Sequence, residues 1–324
     1  MNFWEAQARA RGKTKIYLAA FVIITCIVAA ISEMAMRHFA KDSYDPNYPV
    51  LGLTFLAITF LVALFNYSQY CNHGGSYVAE SVGAYRIDPR TRDPTEKQLL
   101  NIVEEIALAS GLPTPEVYIM PVNQINAFAA GTTPENAAIA ITEGTLQKLN
   151  RDEIQGVIAH EFGHVYNADM KISLRLAAMV MGFFFVIYIG MRLLQVSSLS
   201  RSRSSNEKGG NPLVLAAFIL MIAGAFTWFA GSILKSMVSR EREYLADACA
   251  VQFTRNPDGI ANALRKIAID TTEDMPKEGA AFSHLYFDEH SGFARLFATH
   301  PPIEKRIAAI EGKEYLPEEW KKML

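Results

Sequence analysis

The residues whose spacing holds the most chemistry are His160, Glu161 and His164, in the run His160-Glu161-Phe162-Gly163-His164. On an α-helix, positions four apart share a face, with Cβ atoms about 5–6 Å from one another. Two imidazoles so placed can converge on one zinc ion at about 2.0–2.1 Å per bond. Glu161 then stands one step round the helix, beside the metal and not on it. A carboxylate there can take a proton from water that the metal has acidified. The pattern therefore predicts metal-assisted hydrolysis. The plainer reading is a helix whose two histidines cap or solvate a face. By chance the pattern occurs in roughly one chain in a hundred of this length. The apolar positions Ile154, Val157, Ile158, Phe162 and Val165 supply the buried side of a helix, which weakens the plainer reading.

A catalytic zinc needs a third protein ligand and an open fourth position. Residues 239–248 offer Glu243 and Asp247, four apart on a predicted helix. One carboxylate can bind the metal while the other accepts the free ring N–H of a ligating histidine and fixes its tautomer. Glu241 is the rival ligand, and a solvated charged face with Arg240 and Arg242 as helix partners is the non-metal reading. Ala246, Ala248 and Ala250 are small enough to let two helices approach, and Gly163, a poor helix former, fits a close approach of another segment. His300, ahead of Pro301 and Pro302, can stabilise an oxyanion or cap a helix. Asn126, Ala127, Phe128 and Ala129 make an apolar, small-residue strand, suited to adding an extended peptide or to an ordinary place in a sheet. His38, His73, His284 and His290 have no partner spacing and read as surface or packing residues.

The elements that must position these residues are legible around them. Asn150 with Glu153 is a capping-box start for the metal-binding helix. Upstream, a short strand is expected near residues 85–87. Asp93, Pro94 and Glu96 start a helix that runs to about Ser110 and stops at Gly111. Residues 116–120, 126–130 and 137–141 read as strands, followed by a helix from Thr142.

Four apolar runs flank this region: residues 16–35, 50–67, 176–191 and 212–234. A span needs about 20 residues, with a lower limit near 17. The third run, of about sixteen, leaves a re-entrant hairpin or buried core helix open beside a full span. The first run follows Arg9, Arg11, Lys13 and Lys15 and is too long for a signal h-region of about 7–15 residues. Hydrophobic residues make up 50% of the 324, and a net charge of −2 lacks the basic footprint of a nucleic-acid binder. Cys26, Cys71 and Cys249 suggest neither a disulfide framework nor a cysteine zinc site. The expected fold is a mainly α membrane protein with a small β-sheet: a zincin-like catalytic domain plus about four transmembrane helices. Residues 1–77 hold a juxtamembrane segment and two transmembrane helices. Residues 78–173 hold the first part of the catalytic domain, and 174–238 two further transmembrane or hairpin helices. Residues 239–324 hold the second part of the catalytic domain, which must rejoin the first to share the zinc. Residues 197–210 are a Ser/Arg/Gly-rich loop.

Several motifs occur together and in one order: Asn126 to Gly131, Leu149 to His164, Asn167 with Asp169, then Ser239, Arg240, Glu243, Ala246 and Asp247, and finally Ala298 to Pro302 with Arg306. In these the chain resembles the HtpX-type integral membrane zinc metallopeptidases of a longer-chain subgroup, related to the CAAX prenyl endopeptidases. The likeness covers most of the chain. It departs from shorter HtpX proteins in an N-terminal juxtamembrane helix over residues 2–11 and a long segment between Thr271 and Phe297. The resemblance implies that Glu243 is the third ligand and that Asp247 orients a histidine. It places His300 and Arg306 at the substrate cleft and makes Asn126 to Ala129 an edge strand that pairs with extended substrate. It implies one Zn2+ per chain, a bilayer setting, and polypeptide substrates, membrane or misfolded proteins, in membrane protein quality control. The location implied is the bacterial inner (cytoplasmic) membrane. Basic residues before the first run, against Arg37 and Lys41 after it, put the active site on the cytoplasmic side. The rival class is a non-catalytic membrane scaffold or receptor with a structural zinc site. Such sites usually have four protein ligands and would not need Glu161.

Overall fold

The computed structural model describes residues 3–41, 43–200, 212–270 and 301–312; nothing is stated of the side chains of residues 3–15, 198–200, 235, 237–239 and 241. The chain divides into two compact units, one of residues 14–68 and 175–234, the other of residues 1–13, 69–174 and 235–324.

The first unit is helical. It draws on α1 (Phe3–Phe39), α2 (Val50–Ser81), α6 (Asp169–Ser200) and α7 (Pro212–Thr254). Four stretches of these helices are long and apolar enough to cross a bilayer: Ile16–Phe39, Val50–Ser81, Asp169–Ser197 and Pro212–Leu234. The short third apolar run lies inside a single helix of 32 residues, so its length is no obstacle to a span. Small residues let these helices touch, as membrane packing requires. A Cβ on Gly182 would lie 2.6 Å from the Thr59 carbonyl oxygen, and one on Gly224 would lie 3.1 Å from the Ile187 nitrogen. Phe21 stacks on Phe183 with ring centroids 5.2 Å apart. The buried carboxylate of Glu33 accepts from Arg37 Nε at 2.8 Å, Tyr44 Oη at 3.0 Å and the Leu51 N–H at 2.9 Å. It thereby satisfies an amide at the start of α2 and carries no unpaired charge into the apolar layer.

The second unit holds a four-stranded sheet with order β1-β2-β4-β3: β1 (Tyr85–Arg86), β2 (Glu116–Met120), β3 (Ala127–Ala130) and β4 (Ala138–Thr142). The β2–β4 pair is parallel, and the other two pairs are antiparallel. Each strand lies within a residue or so of the stretch that alternation and turn residues predict. The helices of this unit start where the sequence places their caps. Asp93 accepts from the Thr95 and Glu96 N–H groups at the head of α3 (Pro94–Ser110), and Gly111 ends it in the left-handed region at φ 70°. A short α4 (Glu143–Lys148) leads to α5 (Arg151–Tyr166), where Asn150 and Glu153 exchange the two hydrogen bonds of a capping box.

The core lies between α3, α5 and the sheet. Leu99, Ile102, Val103 and Ile106 of α3 pack in one cluster with Ile154, Val157, Ile158 and Phe162 of α5. The helix α8 (Pro257–Ile269) lies against α5 so tightly that a Cβ on Gly156 would come within 2.5 Å of the Ile260 nitrogen. α9 (Ile303–Ile310) closes the described part of this unit. One departure from the sequence reading stands out. Helix α2 does not end near the last residue of its apolar run but continues to Ser81 through a kink at Gly74, φ 64°. Gly75 explains the sharpness: a Cβ there would lie 2.2 Å from the Ala130 carbonyl oxygen and 2.6 Å from the Ala138 nitrogen.

Candidate metal centre

Helix α5 presents His160 and His164, and α7 brings Glu243 to them. The Nε2 atoms of the two histidines are 3.2 Å apart. Glu243 Oε2 is 3.6 Å from His160 Nε2, and Glu243 Oε1 is 3.4 Å from His164 Nε2. Two bonds of about 2.05 Å at the tetrahedral angle hold their outer atoms roughly 3.3–3.4 Å apart, so this triangle is one face of a zinc tetrahedron. The side chains of His160 and Glu243 are 0% and 1% exposed, whereas that of His164 is 18% exposed. Among the described residues this is the one cluster of three or more such side chains whose donor atoms converge in this way.

Behind each histidine stands a carboxylate, and behind each carboxylate an arginine. His160 Nδ1 is 2.9 Å from Asp247 Oδ1. Arg306 donates to both oxygens of Asp247, from Nε at 2.9 Å and Nη2 at 2.7 Å, and its Nη1 lies 3.1 Å from Glu243. His164 Nδ1 is 3.1 Å from Asp169 Oδ2, and Asp169 is ion-paired with Arg242. These contacts fix which ring nitrogen carries the proton and leave each Nε2 for a metal. Glu161, Asp169, Glu243 and Asp247 are all buried, with Arg242 and Arg306 as the guanidinium groups among them. Buried charge without compensation is costly, and the excess of carboxylates here is what one divalent cation balances. The donor set thus fits zinc by geometry, by ligand chemistry and by charge.

Burial alone would raise the Asp247 carboxyl, but the Arg306 guanidinium and the His160 ring together hold the group below the usual carboxylate range. Burial would likewise discharge His164, yet the hydrogen bond and charge of Glu243, helped by Glu161, keep its pKa above the ordinary histidine value when no metal competes. Cys249 is pushed up to about 11, chiefly by burial, and stays a thiol.

Close helix packing makes the centre possible. A Cβ on Gly163 would meet Ala246 Cα at 2.9 Å and Cys249 Cβ at 3.0 Å, so only glycine lets α5 and α7 approach as they do. Glu161, one residue past His160, is 2% exposed. Arg306 is fully buried against Asp247 and Glu243, behind the ligands. Among the described strands β3 is last in the order, and its buried Ala127, Phe128 and Ala129 pair with β4. The Asn126 N–H is bonded to Thr142 Oγ1 and Thr145 Oγ1. His300, the segment between Thr271 and Phe297, and the Glu241 side chain lie outside the described residues. Asp169 and Arg242 are the partners that spacing rules miss. Asp169 follows the end of α5 after Ala168, at φ 57°, so no helical repeat connects it to His164.

A model of peptidase family M48 matches residues 93–314. The chain is 37% identical to a protease HtpX homolog of Caldanaerobacter subterraneus subsp. tengcongensis over 319 residues, covering 96% of this chain and 97% of that protein. It is 36% identical to the homolog of Thermoanaerobacter pseudethanolicus, with 96% and 97% covered, and 32% identical to that of Ligilactobacillus salivarius, with 94% and 97% covered. In structure it resembles crystalline S. mikatae Ste24p at a TM-score of 0.50 and 16% identity, over 94% of this chain and 67% of that one, a likeness of fold alone.

Proposed function

This chain belongs to peptidase family M48 and is an integral membrane zinc metalloprotease acting on polypeptides, and we propose that His160, His164 and Glu243 hold its metal while Glu161 is the general base. The observation that carries this assignment is the triangle of donor atoms, 3.2 to 3.6 Å on a side, with a carboxylate behind each imidazole. Zinc, when bound, supplies the Lewis acidity that polarises the scissile carbonyl and lowers the pKa of the attacking water. Glu161 takes the proton of that water and passes it to the leaving amine. Its burial keeps competing solvent from the carboxylate. Asp247 and Asp169 hold the two imidazoles in the ligating tautomer, and Arg306 positions Asp247 and Glu243 together. An extended substrate adds alongside Asn126, Ala127, Phe128 and Ala129, at the strand that ends the order of the described sheet. His300 donates to the developing oxyanion. The substrates are membrane or misfolded proteins handled in quality control at the bacterial inner membrane, with the site facing the cytoplasm.

The test is cleavage of casein by the purified full-length enzyme, with metal analysis alongside. Glu161→Gln should retain zinc and lose proteolysis by two orders of magnitude or more, about what general-base catalysis contributes. Near wild-type turnover in that variant would remove Glu161 from the mechanism. Zinc retained without Glu243 would remove the third ligand, and cleavage unaffected by a chelator would return the site to a structural role.

A further inference from the structure

A cavity of about 500 Å³ lies within the helical unit, between α1, α2 and α6. Its walls are apolar: Val22 from α1, Phe60, Ala63 and Leu64 from α2, and Met179 and Phe183 from α6. The volume falls within the roughly 300–1,000 Å³ of ordinary ligand pockets. Along α2 the lining runs from Leu56 to Tyr67, eleven steps of about 1.5 Å, or roughly 16 Å. One leaflet of a bilayer's hydrocarbon core is about 15 Å deep. The groove therefore has the length of one acyl chain in one leaflet, in a unit built from the helices that cross the membrane.

One end of the groove is charged. Arg175 lines it together with Tyr67, which accepts a hydrogen bond from Arg175 Nε at 3.1 Å and carries the guanidinium over its ring at 5.4 Å. That single bond uses one of five N–H donors. No carboxylate pairs with Arg175 among the described residues, although arginines in membrane helices almost always meet an anion or a carbonyl. The planar guanidinium is the group best shaped to take a phosphate bidentately. Deeper in, Thr59, 7% exposed, lines the same cavity while packing against α6, where a Cβ on Gly182 would lie 3.2 Å from its Cγ2. Thr25, its polar neighbour, is already bonded to the Phe21 carbonyl at 2.7 Å. A groove that is apolar along its length and carries a guanidinium at one end complements an amphiphile with an anionic head.

We propose that this groove binds one anionic glycerophospholipid, with its phosphate on Arg175 beside Tyr67 and an acyl chain along Val22, Phe60, Leu64 and Met179. The other end of the same helix supplies an internal control. Arg192 lies over Tyr188 at 5.2 Å and donates to its hydroxyl at 2.8 Å, as Arg175 does to Tyr67, and also to Gln195 Oε1 at 3.3 Å, but it lines no part of the cavity. If both arginines merely anchored the helix in the headgroup layer, they would behave alike. The proposal requires them to differ, and it does not depend on the zinc site.

Native mass spectrometry of the full-length protein, released from vesicles of mixed phosphatidylglycerol and phosphatidylcholine, reads this directly. Wild type should retain one phosphatidylglycerol per chain in preference to phosphatidylcholine. Arg175→Gln should lower that preference about fivefold, the contribution of one basic residue at an anionic headgroup, while Arg175→Lys keeps part of it and Arg192→Gln leaves it unchanged. Ala63→Phe, which fills the groove, should reduce retention of both lipids, with zinc content reporting that the variant is folded. Equal retention of the two lipids by wild type would overturn the proposal. So would equal losses in the Arg175 and Arg192 variants, which mark a headgroup anchor, or unchanged retention in a folded Ala63→Phe protein, which would place the lipid elsewhere.

Discussion

Asp247 and Asp169 each stand within hydrogen-bond distance of a histidine Nδ1, and helical spacing points to only one of them. Asp247 sits four residues after Glu243 on one helical face, so spacing alone paired it with the ligand set. Asp169 reaches His164 from beyond a helix end, through a residue of positive φ, a relation that no periodicity encodes. The geometry treats them alike, so Asp169→Asn and Asp247→Asn should each weaken zinc binding about 10–100-fold, the usual loss for a carboxylate behind a ligating histidine. Competition with a chelator of known affinity measures this, and wild-type affinity in Asp169→Asn would sever Asp169 from the site. Acid should act on the same residues. Because Glu243 holds His164 above the ordinary value near 6.5 despite burial, proton and zinc compete for that ring at pH values above 6.5. Apparent zinc affinity should be level above the raised pKa and fall toward tenfold per unit of pH below it. Chelator titrations across pH 5 to 8 check the sign; an affinity flat through pH 6 would contradict it.

At the scale of elements, the decisive contact is between α5 and α7, where Gly163 faces Ala246. Glycine inside a helix costs about 1 kcal/mol relative to alanine, so on propensity alone Gly163→Ala should stabilise. The Cβ it adds would press on backbone 2.9 Å away, and overpacking costs about 1–3 kcal/mol. The contact should win. Moreover, the displacement moves Glu243, three residues from Ala246, away from the histidine pair. Gly163→Ala should therefore lose zinc affinity as well as thermal stability, and a variant with raised melting temperature and intact zinc binding would show the approach to be looser than described. The sequence exposed this element well. The caps at Asp93, Gly111 and Asn150 and all four strands stood in the residue pattern, because each rests on local chemistry. The strand order and the kink in α2 did not, because the first rests on pairing between strands apart in the chain and the second on the close approach of Gly74 and Gly75 to Asn136, Ala130 and Ala138.

For the whole molecule, the question is which side of the membrane holds the metal. His160 and His164 precede α6, and Glu243 follows the fourth apolar stretch, so the chain must return to the side it left. The short apolar run in residues 176–191 left a shallow hairpin open from sequence alone, since hydropathy shows the apolar part of a helix and not its full length. In the structure that run belongs to a 29-residue candidate span, long enough to cross with tilt. Two full crossings put the residues between α6 and α7, with Arg201, Arg203 and Lys208, on the side opposite the metal. That placement opposes the positive-inside rule locally. It is tolerable where the first helix, preceded by Arg9, Arg11, Lys13 and Lys15, sets the orientation of the rest. The expected outcome is a cytoplasmic metal site with the 201–211 segment outside. Single cysteines can report it, Ser204→Cys and Glu318→Cys, each in a protein whose Cys26, Cys71 and Cys249 are replaced. In intact cells a membrane-impermeant thiol reagent should label position 204 and spare position 318, with zinc-dependent proteolysis confirming that each variant is folded. Labelling at 318 would place the metal outside the cytoplasm. Protection at both positions, reversed on lysis, would mean that α6 and the start of α7 enter the bilayer and return without crossing it.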